Sequence, residues 1–253
     1  KTHLIMSSLF TYTLRIADSS LILGQRMSEW CSRGPTLEED IAMSNISLDM
    51  FGQANGFYQY AAQLDGLKSA DELAFRRNER EFFNHQLVEQ ENGNFGNTIV
   101  RNFLHDTFNF LFYTQLTNSK DETLSALAHK SLKEVKYHLR HSSNWLVRLG
   151  DGTKESNAKT QIALNELWMY TDEIFEMDAL DTELFNKGIA VDNSALKSDW
   201  DAMINNTLAK AKLTRPEDEY MATGGKKGLH TEYLGFILSE MQYLQRAYPN
   251  AKW

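Results

Sequence analysis

The sequence predicts an all-α protein in which four long antiparallel helices form a bundle, with additional helices packed around them toward the C-terminus. Three observations lead there. Apolar residues recur at steps of three and four over stretches far longer than a strand. Only 3 prolines interrupt 253 residues. No alternating β-branched run of useful length occurs. A chain this long buries roughly 70–75% of its unfolded surface, enough for one large core or two small ones. With no linker, low-complexity tract or short-period repeat, residues 1–253 read as a single domain.

Lys1 to Ile5 precede Met6 and read as an expression remnant. The first helix shows as a stripe of Leu9, Thr13, Ile16, Ser20, Leu23, Met27 and Trp30, ended by Gly34-Pro35. Thr36 with Glu39 three residues on is a capping box opening a second helix over about Leu37 to Leu64. That helix is almost uncharged from Ile41 onward, Asp49 and then Asp65 excepted, and is expected to be buried on most of its circumference. A shorter charged helix follows over Asp71 to Asn84. Its run Arg76-Arg77-Asn78-Glu79-Arg80-Glu81 mixes both signs and reads as a solvated face. The turn-rich segment Asn92 to Asn97 launches the third long helix, to about Asn118. Ser119 and Glu122 signal the start of the fourth, which ends at Gly150-Asp151-Gly152. Beyond it come a helix over about Glu155 to Glu176, a short acidic turn, a helix near Ala195 to Lys212, the loop Thr223 to Gly228, and a final helix from Thr231 to Tyr248.

Charge and composition narrow the function. There are 34 acidic against 26 basic residues, a net charge of −8, which argues against nucleic acid or an anionic membrane as the partner. No apolar run approaches the ~20 residues of a membrane span. The start has no signal-peptide pattern, so the cytoplasm is the expected location. Cys31 stands alone, which excludes an intrachain disulfide and a cysteine metal cluster; at an apolar helix end it reads as a buried small hydrophobe. No serine sits in a nucleophile elbow, and the GGKKG loop lacks the setting of a phosphate-binding P-loop.

A helical bundle of this size has a known route to oxygen chemistry. One glutamate from each of two helices joins an E-x-x-H pair from each of the other two around two irons. This sequence contains no E-x-x-H. It has two near misses: Gln53 in the second helix and His138 in the fourth stand where histidines would, and three residues earlier are Met50 and Val135. Neither a thioether nor an alkyl group supplies the oxygen donors that hard iron needs. Asp18 and Asp106 complete a ragged set. The bland reading is that these buried polar groups satisfy one another or a cation such as Lys133. His105-Asp106 and His138-x-x-His141 can each be drawn as metal pairs, but His138 and His141 have no compatible carboxylate beside them. In the segment Thr223 to Glu232, Lys226 and Lys227 precede a helix N-terminus at His230-Thr231. This reads either as an anion site or as a solvated helix entry capped by Thr231.

Longer stretches carry a resemblance. Gln25-Arg26, Ser28-Glu29-Trp30-Cys31, Leu48-Asp49, Gly52-Gln53-Ala54, Val88-Glu89-Gln90 and Asn92-Gly93-Asn94-Phe95 belong to it. So do Lys133-Glu134, Tyr137-His138-Leu139-Arg140, the ten residues from Thr223 to Glu232, and those from Glu240 to Arg246. On these the chain resembles the C-subunit family of bacterial phenylacetyl-CoA epoxidases, multicomponent monooxygenases of phenylacetate degradation. The resemblance implies a ferritin-like fold and a catalytic A subunit that carries the di-iron site and binds the CoA thioester. It implies a reductase with flavin and iron–sulfur centres, with the small B subunit as a further partner. For this chain it implies a structural role without a cofactor of its own: a degenerate site at Asp18, Met50, Gln53, Asp106, Val135 and His138. Lys226, Lys227, His230 and Thr231 become expected contacts to CoA or to a neighbouring subunit. Two alternatives stand beside this: a di-iron oxygenase working with a degenerate ligand set, and a docking platform for the reductase. The 14 Phe, 5 Trp and 10 Tyr suit a large core and an anchored interface, with Trp30 a candidate anchor.

Overall fold

The computed structural model describes residues 2–251, with side chains from residue 8 onward; the segment read as an expression remnant lies outside the described side chains. Among the described residues there is no strand. In chain order the helices are α1 (Thr2–Ser28), α2 (Leu37–Asp65), α3 (Ala70–Phe75), α4 (Gln86–Glu89), α5 (Phe95–Leu116), α6 (Glu122–Gly150), α7 (Lys154–Trp168), α8 (Ala179–Asn186), α9 (Lys197–Lys210), α10 (Glu232–Met241) and α11 (Tyr243–Ala247). All four expected long helices are present, as α1, α2, α5 and α6. No helix is long and apolar enough to cross a membrane among the residues described. The contacts divide the chain into two units, one made of Lys1–Glu89 with Gly224–Trp253, the other of Gln90–Thr223.

In the first unit α1 and α2 pair along their lengths. Ser47 donates its hydroxyl to the Gly24 carbonyl at 2.8 Å, stitching the two together. The predicted α1 stripe is buried from Leu9 to Met27, and between residues 12 and 24 every side chain of α1 is enclosed. The second helix differs from expectation. Met43, Ile46, Met50, Phe57 and Ala61 are buried, but Ile41, Leu48 and Gly52 on the outward side are exposed. An uncharged helix face satisfies its own backbone, so lack of charge alone does not require cover. Thr36 accepts the Glu39 N–H at 3.4 Å as the cap, and Gly66, in the left-handed region at φ 70°, ends the helix.

The charged segment after α2 is not one helix. α3 stops at Phe75, and a single 3₁₀ turn covers Glu79–Glu81. Arg77 is buried rather than solvated, because the break turns it inward. Cys31 is exposed, since α1 ends three residues before it and the chain passes through Ser32 at φ 66°. The predicted last helix is two: α10 and α11 meet at Gln242, whose buried amide donates to the Ala74 and Arg77 carbonyls.

In the second unit α5 pairs with α6, and α7 and α9 pack against both. Asn94 caps α5 through the Gly96 and Asn97 N–H groups. The α6 cap is Asp121, accepting the Leu124 N–H at 2.9 Å, rather than Ser119. Where an acidic turn was expected, Asp178 caps α8 in a reciprocal pair with Asp181. Residues 98–108 of α5 are all buried. Trp200 of α9 donates its indole N–H to the Leu104 carbonyl at 3.0 Å and lies against Phe175 and Trp168.

Candidate functional site

The six residues of the expected degenerate site divide between the two units. Asp18, Met50 and Gln53 belong to the first, Asp106, Val135 and His138 to the second, and all six are buried.

Asp18 sits in the enclosed stretch of α1 with no exposed surface. Its Oδ1 accepts the Tyr58 hydroxyl at 2.6 Å and one Arg77 Nη2 hydrogen. Oδ2 accepts Arg77 Nη1 at 3.1 Å and the Phe83 N–H at 2.8 Å. Four donors therefore occupy the carboxylate, and a fixed cation stands against it. Arg77 in turn donates to the Leu73 and Glu81 carbonyls and lies 4.1 Å from the Phe82 ring centroid. Burial by itself would weaken the guanidinium's hold on its proton; the Asp18 charge outweighs that and raises its pKa above the ordinary value. Burial and the same carboxylate push the Tyr58 hydroxyl well up, so it stays a donor. The cation that neutralises the α1 carboxylate is thus Arg77, supplied by the break after α3.

In the second unit Ser142 donates its hydroxyl to Asp106 Oδ2 at 2.8 Å. Burial lifts the Asp106 pKa to about 6, opposed by His138 and the Ser142 hydrogen bond. Its neighbour His105 is pushed down to about 3 by burial, with Arg101 and His138 adding to the effect. His105 Nδ1 lies 3.2 Å from the Asn109 amide nitrogen. Val135 contributes only methyl groups.

A di-iron centre does not fit these side chains. Positions 50 and 135 offer sulfur and hydrocarbon where bridging oxygens are needed, and the Asp18 oxygens are already turned to Arg77, Tyr58 and Phe83. Among the described residues no three His, Cys, Asp or Glu side chains group as metal ligands.

The loop before α10 is shaped by contacts within the first unit. Gly228 adopts φ 73°, and a Cβ there would stand 2.3 Å from the Arg80 carbonyl oxygen, so only glycine fits. Beyond it, His230 Nε2 meets the Phe82 carbonyl at 2.8 Å and Nδ1 meets Glu89 Oε2 at 3.0 Å. Thr231 gives both its N–H, at 2.6 Å, and its hydroxyl, at 2.8 Å, to Glu89 Oε1. Asn84 donates to Oε2 at 2.9 Å, and Arg26 grips the Glu89 carbonyl from α1. The anion at this helix N-terminus is the protein's own Glu89 carboxylate. Thr231 stands at the cap position with its hydroxyl on Glu89 rather than on the helix backbone. Both His230 nitrogens face acceptors, an arrangement that favours the doubly protonated ring. Burial opposes that charge, the Glu89 hydrogen bond and charge favour it, and the net shift is upward. Lys226 is buried and Lys227 exposed. Glu89 was visible in the sequence only as part of the Val88-Glu89-Gln90 run. Its partners lie 141 and 142 residues away, and no local spacing marks them.

Among the described residues the chain is all-helical, with a carboxylate buried midway along α1 and another midway along α5, and the comparisons supply the family. The chain belongs to the phenylacetic acid catabolic protein family, whose pattern matches residues 3–253. It is 48% identical over 248 residues to the C subunit of the 1,2-phenylacetyl-CoA epoxidase of Escherichia coli strain K12, a match covering 98% of this chain and 100% of that protein. The resemblance read from the sequence is the family found here.

Proposed function

We propose that this chain is the non-catalytic structural subunit of a cytoplasmic phenylacetyl-CoA epoxidase, acting in phenylacetate catabolism and holding the di-iron A subunit in its working geometry. The observation that carries the reading is the Asp18–Arg77–Tyr58 cluster. A carboxylate that would face iron instead carries a buried guanidinium, which repels a metal cation. Met50 and Val135 support the same reading, since neither can bridge two irons. The full-length similarity to the C subunit of an epoxidase supplies the substrate class. A di-iron site demands ligands held to within about 0.5 Å, and a second helical protein packed beside the catalytic one supplies rigidity without chemistry of its own. On this reading iron resides in the A subunit, and flavin and iron–sulfur centres in the reductase. His230 and Thr231 hold the loop to Glu89, so any contribution to the CoA thioester passes through the exposed Lys227.

Elemental analysis tests this on protein from iron-supplemented cells. The isolated chain is expected to hold essentially no iron, and the chain co-purified with its A subunit about two irons per pair. Stoichiometric iron in the isolated chain, with oxygen-dependent epoxidation, overturns it.

A further inference from the structure

The chain carries a net charge of −8, yet the outward face of α6 is basic. Lys130, Lys133, Lys136, Arg140 and Arg148 are all exposed. At 3.6 residues per turn they fall within about a third of the helix circumference, over a length of about 30 Å. After the first turn of α6 no Asp or Glu shares that arc; Glu134 stands on its flank, half-buried. Lys133, which the sequence offered as a cation for a buried carboxylate, belongs to this outer strip. None of the five forms an ion pair among the described residues, whereas Lys159, Lys187, Lys197 and Lys212 each do. Lys130 and Lys133, Lys133 and Lys136, and Lys136 and Arg140 stand three or four positions apart, where like charges repel and weaken the helix. A face made only for solvent mixes signs, as Glu155 and Lys159 do on α7.

We infer that this strip of α6 docks a carboxylate-rich helix on another subunit of the epoxidase complex. The inference rests on the structural-subunit reading and adds to it the face and the chemistry of what that face meets. Two of the cations are already held in place. The Arg140 guanidinium carbon lies 5.6 Å from the Tyr137 ring centroid and that of Arg148 5.3 Å from the Trp145 centroid. Trp145 is itself fixed edge-on by Phe95 at 5.0 Å. Stacking on a ring restrains a long side chain and leaves the N–H edges of its guanidinium open to a carboxylate. The two arginines stand eight residues apart, about 12 Å along the axis. Asp or Glu side chains two turns apart on a helix lying alongside α6 meet both, with the three lysines adding attraction along the strip. A nucleic acid fits less well, because its phosphates would also meet the acidic remainder of the chain. A second copy paired strip to strip would set Lys and Arg against Lys and Arg.

The test measures binding of the chain to each of the other purified subunits of the complex at about 50 and about 300 mM salt. It compares wild type with the charge reversal Lys133→Glu/Arg140→Glu and the milder Lys133→Gln/Arg140→Gln. The control, Lys68→Glu/Lys210→Glu, makes the same change in net charge as the reversal at two exposed lysines off the strip. For one subunit, wild-type affinity is expected to fall at least tenfold between the two salts. At low salt the reversal is expected to weaken that binding at least tenfold, the glutamine pair to weaken it less and flatten its salt dependence, and the control to stay within about threefold. Thermal unfolding checks that each variant is folded, and the glutamine pair decides alone if the reversal is not. Binding by the folded strip variants within twofold of wild type, for every subunit, overturns the inference and leaves the structural-subunit reading in place. Equal weakening by the control shows general repulsion and also overturns it. A duplex DNA bound by wild type and lost by the strip variants, with subunit binding unchanged, assigns the strip to nucleic acid and overturns it too. A wild-type chain that binds no other subunit removes both readings.

Discussion

Asp18 and Arg77 show how a buried charge changes meaning with its partner. Arg77→Ala leaves the Asp18 carboxylate without its cation in a fully enclosed stretch of α1. It is expected to cost about 3–5 kcal/mol in urea unfolding. Replacing both with leucine is expected to cost clearly less than the two single changes summed, the signature of a coupled pair. His230 makes a pH prediction. Its pKa is raised in the folded protein, so its stabilisation is complete below the unfolded value near 6.5 and fades as pH rises through the higher folded value. Three groups face the ring: Glu89 from α4, the Phe82 carbonyl, and at longer range the Asp18 charge from α1. Amide exchange over residues 224–231 is expected to quicken at alkaline pH in wild type, with a flatter pH profile in His230→Gln. Asp106 runs the same way in a more acidic window. Lifted to about 6 by burial, it favours the folded state below the unfolded value near 3.8 and loses that advantage as pH rises toward 6. Asp106→Asn keeps an acceptor for Ser142 and is expected to gain stability relative to wild type above pH 6, read from the Tm difference between pH 5 and pH 8.

At the scale of elements, periodicity located the long helices but not what surrounds each. The first helix is enclosed and the second shows an uncharged face to solvent, the reverse of the emphasis that its missing charges suggested. An uncharged stripe has two physical meanings, core or interface, and periodicity does not separate them. The break after α3 was hidden by helix-favouring residues: nothing local in Arg76-Arg77-Asn78 announces that Arg77 must reach a carboxylate 59 residues earlier. Gln242 is a second hinge of this kind. Gln242→Ala removes the donor to two buried carbonyls and is expected to destabilise by about 1–3 kcal/mol, seen as a lower urea midpoint with an unchanged slope.

At the scale of the molecule, most of the large exposed apolar side chains fall in the first unit: Ile41 and Leu48 on α2, and Phe236, Tyr243 and Leu244 on α10 and α11. Unusual exposed apolar surface marks places where partners bind. The two buried polar centres, in contrast, are closed to solvent. On the structural-subunit reading function is to be sought on the outside of this protein, and Lys227→Ala is expected to leave assembly intact whatever it does to thioester affinity in the reconstituted complex.

Some of this was settled by the sequence alone because the physics is local. Helical repeat, the capping role of Thr36, the turn over Asn92 to Asn97, and the presence of Met50 and Val135 where oxygen donors would be required depend on residues within a few positions of one another. The all-helical class and the family follow from the same local information extended over the chain. Tertiary structure alone decided which groups neutralise the buried carboxylates. Arg77 reaches Asp18, and His230 and Thr231 reach Glu89, across separations that leave no periodic trace. Burial of a charge is a property of its three-dimensional surroundings, and only the folded chain says whether a carboxylate meets a metal, a guanidinium or the N-terminus of a distant helix.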